Sequence, residues 1–135
     1  MNDTGDRLIV GAPMDDGLNN GAGNSGAIYL YSFSNNSFGN ASQDALFGKD
    51  YVISPFDDVT GLAAGETLGM SVSFNDAGNR LAIGASNDSG SSSSANQYGA
   101  VYLYSFSDSA YSGATLEGVI GQGYTGSKNV NVTLA

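Results

Sequence analysis

Asn75-Asp76-Ala77-Gly78-Asn79-Arg80-Leu81-Ala82-Ile83-Gly84-Ala85 lies residue for residue over Asn2-Asp3-Thr4-Gly5-Asp6-Arg7-Leu8-Ile9-Val10-Gly11-Ala12, an offset of 75 − 2 = 73. Outward from there, Gly99-Ala100-Val101-Tyr102-Leu103-Tyr104-Ser105-Phe106-Ser107 lies over Gly26-Ala27-Ile28-Tyr29-Leu30-Tyr31-Ser32-Phe33-Ser34 at the same offset. A third block continues it, with Val119-Ile120-Gly121-Gln122-Gly123-Tyr124 over Leu46-Phe47-Gly48-Lys49-Asp50-Tyr51. One offset held across three separated apolar blocks marks an internal repeat.

Each unit reads as strands. Ala27, Tyr29, Tyr31 and Phe33 alternate with Ile28, Leu30 and Ser32, so one face is aromatic and the other aliphatic, and both call for burial. Met70-Ser71-Val72-Ser73-Phe74 alternates strictly, as a half-buried strand does. Asn75 to Asn79 is a short polar turn in which Gly78 can take a positive φ, which closes a hairpin. No stretch carries a sustained 3.6-residue period, so the chain is predicted to be all-β.

Strands are expected near 69–75, 80–86, 99–107 and 115–121. Four antiparallel strands per unit, buried on both faces, is the layout of a β-propeller blade. About two consecutive repeats are present, so the ring is incomplete in a single chain. The predicted division is 1–53, a first blade-like repeat lacking its first strand; 54–68, an inter-blade loop; and 69–135, a second blade-like repeat. Such a chain is either a segment of a longer array or a piece that associates with copies of itself. The strand from Arg7 to Ala12 is left unpaired on one side, and Val130-Asn131-Val132-Thr133-Leu134 alternates as a strand partner would. Self-association through unpaired edge strands, dependent on the last seven residues, is therefore predicted.

Four Lys plus Arg stand against 13 Asp plus Glu, a net charge of −9, with no His. A nucleic-acid partner is excluded on this count, because gripping phosphates needs a basic footprint. Without Cys or His the chain also lacks disulfides, Cys/His zinc sites and nucleophile–His chemistry. No apolar run is long enough to span a membrane as a helix, and the polar N-terminus is no signal peptide.

Leu68-Gly69-Met70-Ser71-Val72-Ser73, then Leu81-Ala82-Ile83-Gly84-Ala85-Ser86, then Gly99-Ala100-Val101-Tyr102-Leu103-Tyr104 resembles the FG-GAP repeat that builds the propellers of integrin α subunits and of many bacterial surface proteins. Gly11-Ala12-Pro13 is the second half of that motif, while Leu68-Gly69 stands where Phe-Gly would, and Ser86 follows Gly84-Ala85 where Pro would. The resemblance implies an extracellular or cell-surface, non-enzymatic module with a structural or adhesive role and a protein or glycan partner. A lectin-like, carbohydrate-binding propeller assembled from short chains is the alternative. Within this frame Gly11 and Gly84 are expected where two blades approach too closely for a side chain. Tyr29, Tyr31, Tyr102 and Tyr104 are expected to fill the wedge between blades.

The resemblance also implies calcium, held by an Asp-rich loop between the first two strands. This sequence departs from it, since Asn2 to Asp6 and Asn75 to Asn79 are too short and too poor in carboxylates for the six to eight oxygens calcium takes. The remaining candidates are Asp15 and Asp16, with Asp88 repeating Asp15 at the constant offset. An oxygen-rich, flexible loop of this kind suits a hard cation such as calcium, but acidic Gly/Asn loops are common on any acidic surface, and a solvated loop is the simpler reading. Asp57-Asp58 is most simply a solubility feature. Asn-x-Ser/Thr triplets start at Asn2, Asn35, Asn40, Asn87 and Asn131, and several are expected by chance in a chain so rich in these residues.

Overall fold

The computed structural model describes residues 1–52, 56–59, 61–92, 96–108 and 110–133, with the backbone alone for 56–58. The first sheet holds β1 (Arg7–Ala12), β2 (Ala27–Ser32), β3 (Ser42–Gly48) and β4 (Phe56–Asp58), in that order. The second holds β5 (Leu68–Phe74), β6 (Arg80–Ala85), β7 (Ala100–Ser105), β8 (Thr115–Gly121) and β9 (Val130–Asn131), again in chain order. The fold is all-β, with antiparallel neighbours except at the two short edge strands. Among the described residues no helix is long and apolar enough to cross a membrane.

The 73-residue offset governs the pairing. Arg7 faces Ser32 and Val10 faces Tyr29 in the first sheet, while Arg80 faces Ser105 and Ile83 faces Tyr102 in the second. Even the irregularity recurs, as a register shift at Leu30/Tyr31 and again at Leu103/Tyr104. The hairpin turns match as well: Asn75 N–H donates to the Arg80 carbonyl at 3.1 Å, as Asn2 N–H does to Arg7 at 3.2 Å. The asparagine Oδ1 accepts from the Arg80 amide at 2.9 Å and from the Arg7 amide at 3.0 Å. Asn2 and Asn75 thus each close their turn through both backbone and side chain.

Two elements differ from expectation. The stretch 54–68 carries β4, which runs parallel to β3 with Phe47 opposite Asp57, and it ends in the first residue of β5. Among the described residues the C-terminal segment pairs with β8 of its own sheet. Val130 lies opposite Ile120, parallel to β8, which is the β3–β4 pairing shifted by 73 residues. Alternation in 130–134 signalled a strand but could not say which edge it would join, because each sheet offers an edge on either side.

The sheets stack aliphatic face on aromatic face. Ile28, Leu30 and Phe47 from the first meet Tyr102, Tyr104 and Phe106 from the second in one buried cluster, with the Phe47 ring 5.1 Å from Tyr104 in an edge-on contact. Such pairs add about 0.5–1.5 kcal/mol beyond the area they bury. Tyr102 and Tyr104 are 2% and 7% exposed. Tyr29 and Tyr31 are only half-buried, because among the described residues no sheet lies on the aromatic face of the first one.

Gly11 sits at the tightest point between the sheets, where an added Cβ would collide with the Gly69 carbonyl. Gly84 lies on the face of the second sheet that no described sheet covers. Its nearest neighbour is the Ser71 hydroxyl of its own sheet, and that side chain can rotate. Gly11→Ala is therefore expected to cost about 1–3 kcal/mol or more through forced backbone displacement, and Gly84→Ala well under 1 kcal/mol. Urea denaturation of both variants checks this, and equal midpoints would contradict it.

Candidate functional site

The loop between β1 and β2 and its copy between β6 and β7 place Asp15 and Asp88 at the mouth of each sheet. Oδ2 of Asp15 accepts the Tyr29 hydroxyl at 2.7 Å, and Oδ1 accepts the Tyr51 hydroxyl at 3.1 Å and the Gly17 amide at 2.9 Å. In the second unit the Asp88 carboxylate accepts Tyr102 at 2.6 Å, Tyr124 at 3.0 Å and the Gly90 amide at 2.7 Å. Gly17 and Gly90 take φ of 71° and 79°, which turns the chain back so that its amide meets the preceding carboxylate. Each aspartate thus ties a loop to the third and fourth segments of its unit through two phenols.

Burial separates the two clamps. Asp88 is 0% exposed and Asp15 half-buried, so the same bonds matter more in the second unit. Burial, followed by the hydrogen bond to Asp88, holds the Tyr102 phenol far above its ordinary range. Burial pushes Tyr124 up to about 12, assisted by the Asp88 charge and opposed by its hydrogen bond with Tyr102. Burial and Asp15 raise Tyr29 and Tyr51 in the same direction.

The sign of the linkage follows from these shifts. A phenol whose folded pKa lies above the unfolded value of about 10 contributes stability that is complete below that value and lost as pH climbs through the folded one. For Tyr124 that window runs from about 10 to about 12. Ultraviolet titration of the phenolates is expected to show a late, steep phase that coincides with loss of the β signal in circular dichroism. A single broad phase near pH 10 with the fold intact would contradict the clamp.

The three residues proposed for a cation are not brought together. Asp15 and Asp16 share one loop, Asp88 lies in the loop of the other sheet, and Asp16 Oδ1 accepts the Asn24 amide at 2.7 Å. Among the described residues no three His, Cys, Asp or Glu side chains stand where they could share a metal ion. What the loops hold is internal order.

Glu66 was invisible to sequence reasoning. It is 3% exposed and accepts the Ala63 amide at 2.7 Å and the Ser89 amide at 3.3 Å. Its neighbours Gly65, Thr67 and Leu68 donate their amides to the carbonyls of Gly23, Asn24 and Ser25. The segment between the sheets is therefore pinned to a loop of each. Glu66 falls outside the repeated blocks, so no periodicity marked it.

A further feature is a groove of about 470 Å³ on the aliphatic face of the second sheet, lined by Met70, Gly84, Tyr98, Val101, Ile120 and Val132 among others. Val101, Ile120 and Val132 are exposed there, whereas their first-unit equivalents Ile28, Phe47 and Val59 are buried. The first sheet's copy of this face is the one that β5 packs on through Gly69. The groove is thus the second sheet's copy of the face that β5 covers in the first. Comparison with family models, with curated proteins and with solved structures gives no match to this chain.

Proposed function

We propose that the chain is a two-unit segment of a β-propeller of the FG-GAP kind, serving outside the cell or at its surface as a non-enzymatic structural and adhesive module for a protein or glycan. The observation that carries this reading is the Gly11–Gly69 approach. It joins the Gly-Ala-Pro half of one repeat to the Leu-Gly half of the next, and it makes sheet-on-sheet stacking the organising contact. A stack of this kind is extended by adding units, and its loops supply the ligand surface. The polar side chains at the sheet mouths are engaged in holding loops, which suits display better than turnover. The adhesive role itself rests on analogy with the family.

The test is binding of the immobilised chain to panels of glycans and surface proteins by interferometry. Saturable binding without chemical change of the ligand supports the reading; turnover of a bound glycan, or no binding to either class, refutes it. The lectin-like alternative is favoured by the two open faces, aliphatic on the second sheet and aromatic on the first, which repeat the internal interface. A defined ring of copies in sedimentation would select it.

A further inference from the structure

The chain has eight tyrosines and neither tryptophan nor cysteine. A one-electron oxidant therefore meets tyrosine as the most readily oxidised side chain, because the indole and the thiolate that would otherwise yield first are absent. Methionine takes the two-electron route to its sulfoxide instead. Position then singles out one pair of tyrosines. Among the described residues the ring contacts join two phenylalanines or a phenylalanine and a tyrosine, except that of Tyr102 with Tyr124. Those two rings stand edge-on with centroids 6.3 Å apart, and their hydroxyls are 3.1 Å apart. Their first-unit copies, Tyr29 and Tyr51, share Asp15 but form no ring contact with each other among the described residues.

The surroundings of the pair favour loss of an electron and a proton together. Oδ2 of Asp88 accepts the Tyr102 hydroxyl at 2.6 Å and the Tyr124 hydroxyl at 3.0 Å. A phenol that loses an electron becomes a strong acid, so a carboxylate already bonded to its hydroxyl takes the proton with no rearrangement. Tyr124 is half-buried and gives an oxidant access. Tyr102 is 2% exposed and is reached through it. Both rings pack on the core cluster, which holds the two reacting partners side by side and away from other chains.

We propose that Tyr102 and Tyr124 form an oxidative modification site, at which a one-electron oxidant of the peroxidase or photogenerated-radical class joins the two rings through their ortho carbons. Each phenol gives one electron to the oxidant and one proton to Asp88, which passes it to water before accepting the next. The two phenoxyl radicals then couple, and one carbon–carbon bond forms between the rings. The hydrogen on each joined carbon moves to its own phenoxyl oxygen as aromaticity returns. The sum is two tyrosines less two electrons and two protons, so the product keeps both hydroxyls as donors to Asp88. The new bond ties β7 to the segment that follows β8. It closes a loop in the unfolded chain and removes entropy from it, as a disulfide does. A chain without cysteine thereby gains a covalent staple of another kind. The inference stands independently of the adhesive role.

The experiment oxidises the full chain in dilute solution with illuminated ruthenium tris(bipyridyl) and persulfate, and follows dityrosine fluorescence and the masses of proteolytic peptides. A product of single-chain size is expected, lighter by two hydrogens, in which the peptide holding Tyr102 is joined to the one holding Tyr124. Its melting temperature is expected to rise by several degrees over that of the untreated chain. Tyr124→Phe keeps a ring in place and removes the coupling partner, and is expected to abolish the joined peptide. Tyr31→Phe is expected to spare it. Mapping of the unsubstituted chain identifies the pair even if a variant fails to fold. Cross-links that join other tyrosines, Tyr29 with Tyr51 included, or that form only between chains overturn the proposal. Oxidation confined to methionine overturns it as well.

Discussion

Tyr102→Ala is expected to destabilise the chain by about 3–5 kcal/mol, the range for deleting a large aromatic from a core, and Tyr29→Ala by less than about 2 kcal/mol. The two residues are equivalents 73 positions apart with the same hydroxyl bond to an aspartate, so chemistry does not separate them. Position does. Tyr102 lies between the sheets at 2% exposure, and its removal opens a cavity and leaves Asp88 with one donor fewer. Tyr102→Phe divides the two contributions, since it keeps the ring and loses the hydroxyl's bond to the Asp88 carboxylate, about 1.5–3 kcal/mol, with its contact to the Tyr124 hydroxyl. Urea denaturation followed by circular dichroism measures all three. A cost below about 1 kcal/mol for Tyr102→Ala would mean that the aromatic face is not packed between sheets.

The repeated blocks made the strands and their order legible, because alternation with period two fixes which residues share a face. The strands expected at 80–86 and 99–107 are β6 and β7, paired antiparallel, with β5 beside β6. The sequence could not say which copy of a repeated residue would be covered. Tyr29 and Tyr102 sit in near-identical local sequence, and their difference in burial comes from what stacks on each sheet. The same holds for Gly11 and Gly84. A local pattern states that a residue can be packed closely, and only the neighbour decides whether it is.

The acidic loops teach a related lesson. Asp15 and Asp88 were singled out because their carboxylates repeat, and the repetition is real, but it extends to partners that composition does not connect. Tyr29 and Tyr102, Tyr51 and Tyr124, and Gly17 and Gly90 all recur at the same offset. Four positions repeating together are what a hydrogen-bonded cluster needs. Seeing that they meet requires knowing that the loop folds back over the strand ends.

The second large effect is expected at that cluster. Asp88→Ala removes the acceptor for two phenols and one amide in a fully buried setting. Each donor left unmade costs about 1–3 kcal/mol; the phenols regain part of this because the Tyr102 and Tyr124 hydroxyls stand 3.1 Å apart and can bond to each other. A net loss of about 3–5 kcal/mol is expected. Asp15→Ala should cost about 1–2 kcal/mol, because water reaches its donors and replaces the lost acceptor. Asp88→Asn should recover part of the loss, since the side-chain oxygen can still accept from Tyr102 or from Gly90. Equal costs at Asp15 and Asp88 in thermal and urea melts would show that burial does not set the strength of the clamp. The equivalence of the two loops would then lie in their chemistry alone.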